Sequence, residues 1–96
     1  MIDSFLYVCD TNNHVIRRID FTENQVITIA GNGNQCINSQ MTSGKNGLDM
    51  ALASPWDIVQ DPLDNSLFIA MAGTHQIWKF NLGTIYILHK QNFLNF

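Results

Sequence analysis

Charge is scarce in this chain, and so are proline and cysteine. Asp, Glu, Lys and Arg make up 14% of the residues, well below the usual quarter. The net charge is -3, and the five basic residues (Arg17, Arg18, Lys45, Lys79, Lys90) are scattered. Nucleic-acid binding calls for a basic footprint, so the composition argues against it. Arg17 and Arg18 are the one adjacent pair, and strand alternation sends them to opposite faces. Two cysteines are too few for a disulfide framework. Cys9 sits in an apolar stretch and reads as a small buried hydrophobe. Cys36 lies in a polar loop, and a Cys9–Cys36 bridge is disfavoured. No apolar run approaches the roughly 18 residues of a membrane span. The start, MIDSFLYVC, lacks the basic region and long apolar core of a signal peptide. These absences point to a reduced, cytoplasmic chain with no membrane contact.

What the chain does have is an internal repeat. LYVCDTNNHVIRRID begins at Leu6, and LFIAMAGTHQIWKFN begins 61 residues later at Leu67. Laid together without a gap, they share Leu6/Leu67, His14/His75 and Ile16/Ile77. Conservative pairs include Tyr7/Phe68, Val8/Ile69, Cys9/Ala70 and Arg18/Lys79. Repetition at a fixed period is the signature of an array whose units bury one another's faces.

Each unit is a run of short strands parted by turn residues. In the first, strands are expected at 5–10, 14–21 and 25–31, separated by TNN and TEN. Residues 32–54 form a long polar connection, rich in Gly, Asn and Ser, with at most a single turn near 48–53. The second unit offers strands at 56–61, 66–72, 76–82 and 84–90. The first of these is bracketed by Pro55 and Pro62. Unit one therefore matches strands two to four of unit two and lacks a counterpart of WDIVQD. LYVC and LFIAMA are apolar on both faces, so each sheet must be covered on both sides. Stacking repeated antiparallel sheets face to face around an axis gives a β-propeller.

The fold expectation is thus all-β, with about two four-stranded antiparallel blades of an incomplete propeller. A blade without its innermost strand spans 5–31, a linker loop 32–54, a second blade 55–90 and a tail 91–96.

LYVCDTNNHVIRRID resembles the NHL repeat: an apolar strand, an Asp, a short Asn-containing turn, a His, then Ile and a second strand. ITIAGNG, the Ala51-to-Ala53 step and Ser54-Pro55 resemble the run that joins successive NHL blades. The resemblance covers residues 5–82. It looks strongest to the members that join a thioredoxin-like domain to the propeller. That domain is absent from these residues, so no redox role carries over. In unit two Met71 and Gly73 stand where the signature has Asp and Asn. The resemblance implies a cytosolic protein with a role in development and a propeller whose remaining blades belong to a longer parent.

The polar residues read as structural. Asp10, Asn12, Asn13 and His14 in one turn, and Gly73, Thr74 and His75 in the other, supply hairpin hydrogen bonds. His14 is expected to donate to a nearby carbonyl or carboxylate. His14, His75 and His89 lack zinc-ligand spacing, so no metal or other cofactor is expected. There is no GxSxG, and AGNGN lacks the Lys-Ser/Thr and helix of a phosphate loop. Asp57 and Asp61 flank one strand without forming an acid–base pair. Trp56 and Asp57, at the start of the innermost strand, are the interaction candidates. Trp78, alternating with Phe80 and Leu82, reads as packing between blades.

The function expected is a non-catalytic scaffold that offers turns and linker to a protein partner. The alternatives are a fragment of a propeller enzyme, of metal-dependent lyase or hydrolase type, and an RNA-binding NHL surface. Unpaired apolar edges and faces also predict a chain that is marginal, sticky or dependent on association.

Overall fold

The structure, a computed structural model, describes residues 5–38 and 43–89. The tail expected at 91–96 lies outside the described residues. The fold is all-β, with two antiparallel sheets. Sheet one has the order β1 (Phe5–Asp10), β2 (Val15–Asp20), β3 (Gln25–Ala30). Sheet two is built from β4 (Lys45–Asn46), β5 (Pro55–Gln60), β6 (Leu67–Met71), β7 (Gln76–Asn81) and β8 (Thr84–His89). Its order is β4-β8-β7-β6-β5. These are two blades of an incomplete propeller.

The blade of four expected strands carries a fifth, and that strand comes from the linker. Lys45 and Asn46 pair with Ile85 and Thr84 of β8. The linker is also far from structureless. A short 3-10 turn at Gly47–Asp49 is capped by the Asn46 side chain, which accepts from the Leu48 N–H. The Gly31 N–H donates to the Gly47 carbonyl and the Asn32 N–H to the Met50 carbonyl, each at 2.9 Å. Met50, Leu52 and Ala53 are buried in the core. A loop rich in Gly and Asn looked solvated because its few apolar residues are spaced without a period. Backbone bonds to both sheets turn those residues inward.

Turn chemistry sets the strand ends. His14 takes the left-handed conformation (φ 55°), so β2 begins at Val15 and not at His14. His is one of the few residues enriched there. Asp20 accepts from the N–H groups of Thr22 and Glu23, closing the β2–β3 turn. Pro55 opens the edge strand β5, a position where its missing donor does no harm.

The core lies between the sheets. From sheet one come Ile16 and Ala30, with Tyr7, Cys9 and Ile29 packed around them. From sheet two come Leu67, Ile69, Met71, Trp78, Ile85 and Ile87. The register explains this choice: Ile58, Ile69, Trp78 and Ile87 are paired across four strands and so share one face. Trp78 is fully buried, and its indole N–H donates to the Gln76 side chain at 3.0 Å. A buried indole finds such a partner as a rule.

Candidate interaction surface at the blade junction

The two repeat-related turns meet the linker at one point. In the first turn the Thr11 hydroxyl donates to the Pro55 carbonyl at 2.6 Å. The His14 imidazole accepts at Nδ1 from the Ser54 N–H at 3.2 Å. Sequence reasoning had His14 donating; here it accepts, because the group the linker presents is an N–H. From the other side, the Ala72 N–H donates to the Ser54 carbonyl and the Gly73 N–H to the Ala53 carbonyl. Ala53–Ser54–Pro55 is therefore gripped by both turns. Ser54 adopts a positive φ of 51° to satisfy both.

This junction accounts for the two departures in unit two. Met71, at the position of Asp10, is 1% exposed and lies in the core between the sheets, where a carboxylate would be stranded. Gly73, at the position of Asn12, lies against the linker. A Cβ there would stand 3.0 Å from the Ala53 carbonyl oxygen. Thr74 is buried, and among the described residues its hydroxyl oxygen has no partner. His75 repeats the left-handed φ of His14 at 54° but is exposed.

The first turn is more polar. Asn13 donates to both carboxylate oxygens of Asp10 at 3.0 Å, while Asn12 is exposed. Arg17 Nε donates to Asp10 at 2.8 Å, and its Nη1 donates to the Thr28 hydroxyl at 2.8 Å. The bonds from Asn13 and then Arg17 hold the Asp10 carboxyl below its usual range. Arg17 and Thr11 are the partners that sequence reasoning missed. The signal for Arg17 was the hairpin register, which pairs Asp10 with Val15 and so places Arg17 diagonally across on the same face. Arg18 goes to the opposite face, where its guanidinium lies 4.3 Å from the centre of the Phe5 ring.

The interaction candidates sit on β5. Trp56 is 68% exposed, the most exposed aromatic among the described residues. Asp57 is exposed beside it and accepts from the Ile58 N–H. Cys9, on the adjacent strand β1, is half-buried against the core. Burial, and then the Asp57 charge, push its thiol up to about 11. Cys9 and Cys36 are both free thiols, and Cys36 donates to the Asn38 carbonyl. Among the described residues, no three His, Cys, Asp or Glu side chains converge on one point.

Relatives with the same repeat are found in animals. NHL repeat-containing protein 2 of Bos taurus is 43% identical over 84 residues, covering 81% of this chain and 11% of that protein. The Homo sapiens protein of the same name is 40% identical over 84 residues, with the same coverage. The chain belongs to the NHL-repeat family. A plant protein is also similar: Protein SUPPRESSOR OF QUENCHING 1, chloroplastic, of Arabidopsis thaliana, at 44% identity over 79 residues. That match covers 82% of this chain and 7% of the plant protein. The chain thus spans about a tenth of the length of these relatives. No family model matches it. Both NHL repeats of the chain are placed by the structure in neighbouring meanders, and the linker between them forms part of their shared core.

Proposed function

We propose that the chain is a non-catalytic NHL-repeat scaffold that binds a protein partner at the open end of β5, through Trp56 and Asp57. One observation carries this reading. Trp56 is 68% exposed, while Trp78 of the same sheet is fully buried. A large, rigid, exposed aromatic beside a charge is the composition of a binding hot spot. The rest of the surface supports a scaffold and not a reaction centre. Its polar groups are consumed in turns and in the linker grip, and the Cys9 thiol stays protonated at neutral pH. The free thiols favour a cytoplasmic setting.

The test is capture of partners from cytosol by the full chain, by Trp56→Ala and by Asp57→Asn. Both changes lie on exposed side chains, so the folded state should survive, as circular dichroism would verify. The expected result is loss of the captured partner with Trp56→Ala and weakening with Asp57→Asn. Equal capture by all three chains would reject this surface. Deleting the linker is the wrong control, because Met50, Leu52 and Ala53 would leave the core with it.

A further inference from the structure

The open face of sheet two is largely apolar, with Asp57 at one edge and Lys79, tied to Asp64, at the other. Val59 is 64% exposed, Tyr86 42% and Ile77 39%, and between them lie the half-buried Phe68 and Ala70. Val59, Phe68, Ala70 and Ile77 line a shallow concavity of about 190 Å³. Pairing of Val59 with Phe68, Phe68 with Lys79 and Lys79 with Tyr86 confirms that these side chains share a face.

The repeat says what fits there. Phe68, Ala70 and Ile77 are the counterparts of Tyr7, Cys9 and Ile16. Those three residues of sheet one pack against sheet two in the core. Among the described residues, the same face is covered in one blade and bare in the next. The surface that covers it, on sheet two, is built on Leu67, Ile69, Trp78 and Phe80. Their counterparts on sheet one are Leu6, Val8, Arg17 and Ile19. Among the described residues that face is uncovered as well: Leu6 is 49% exposed, and Val26, paired with Ile19, is 61% exposed. One chain therefore carries both halves of a seam that it already makes once internally.

We propose that the chain associates head to tail with a second copy of itself. The open face of sheet two in one copy seats on the open face of sheet one in the next. Such a contact is heterologous, so it either closes into a ring or runs on as a filament. The step from blade to blade is a propeller rotation, which closes with four to eight blades. Two blades per copy give rings of about two to four copies. Arg17 does not oppose the contact, since its guanidinium is already paired with Asp10 and Thr28 and its stem is apolar. The copy-to-copy seam lacks the linker residues Met50, Leu52 and Ala53 that fill the internal one. It is accordingly the weaker of the two and reversible with concentration.

Sedimentation of the full chain across the micromolar range tests this. The wild type should shift from one copy to a discrete species of about two to four copies. Leu6→Glu and Ile77→Glu alter exposed positions on the two faces, and each alone should remain folded and lose the higher species. An equimolar mixture of the two variants should form a one-to-one dimer and nothing larger, because one intact pair of faces survives. A wild type that stays single at all concentrations would overturn the proposal. So would folded variants that assemble like the wild type, a mixture that stays monomeric, or open polymers beyond four copies.

Discussion

Arg17 and Trp78 hold the same place in two repeats and meet opposite surroundings. Trp78 is fully buried between the sheets, its indole bonded to Gln76. Arg17 stands on an open face with its side chain 36% exposed, tied to Asp10 and Thr28. Around them the strands and turns are alike, down to the left-handed histidine that precedes each second strand. The comparison separates two kinds of requirement. Turn geometry is set by the backbone and repeats with it. Side-chain polarity is set by what covers a face, and that differs between the blades. Asp10 against Met71 teaches the same lesson at the turn itself.

Substitution at the paired positions should break the equivalence most plainly. Trp78→Ala empties the centre of the core and should cost about 3–5 kcal/mol in urea denaturation, enough to unfold much of the population. Arg17→Ala removes a half-exposed ion pair and should cost no more than about 1 kcal/mol. Equal losses at the two sites would mean that the sheets do not differ in burial as described.

The histidines offer a finer contrast. Asn tolerates the left-handed backbone, so His14→Asn tests the imidazole acceptor alone. Loss of the Ser54 bond should lower stability by about 1 kcal/mol. His75→Asn should leave stability unchanged, because His75 is exposed. If both variants lost the same amount, the grip on Ser54 would not be the reason.

Acid should loosen the Asp10–Arg17 hairpin before the Met71–Trp78 hairpin, and this is the smallest effect. In the second blade the depressed carboxyl is Asp64, held by Ser66 and then Lys79 in the turn before β6. The Asp10 carboxyl is held below its ordinary value of 3.8, mainly by Asn13 and then Arg17. A depressed carboxyl stabilises the fold above its unfolded value and loses that contribution as pH falls through its folded value. The contribution is thus complete at neutral pH and disappears below 3.8. Met71, at the equivalent place, does not titrate. Hydrogen exchange below that pH should therefore speed up in the Asp10–Arg17 hairpin relative to the Met71–Trp78 hairpin. Uniform acceleration of both would remove the asymmetry.

Much of the architecture was legible in the residues. Alternating apolar pairs and turn residues placed seven strands to within a residue or so, and the repeat placed them in two sheets. The exposed Trp56 and the buried Trp78 were separable because Trp78 alternates with Phe80 while Trp56 follows a proline. The linker was not legible. Lys45–Asn46 has no strand pattern, and its pairing with β8 depends on a partner about forty residues away in sequence. The His14–Ser54 bond was hidden for the same reason: it joins residues that meet only once both blades are folded.

The chain on its own determined its strands, its turns and the period that relates the two units, because these follow from side-chain alternation and from the backbone preferences of a few residues. Only the packed molecule decided which faces are covered and where residues 32–54 run. Burial is a property of the neighbouring sheet, and no residue carries it alone. Trp78 and Arg17 are told apart by what lies over them, and the linker enters the core because two sheets leave backbone groups there for it to satisfy.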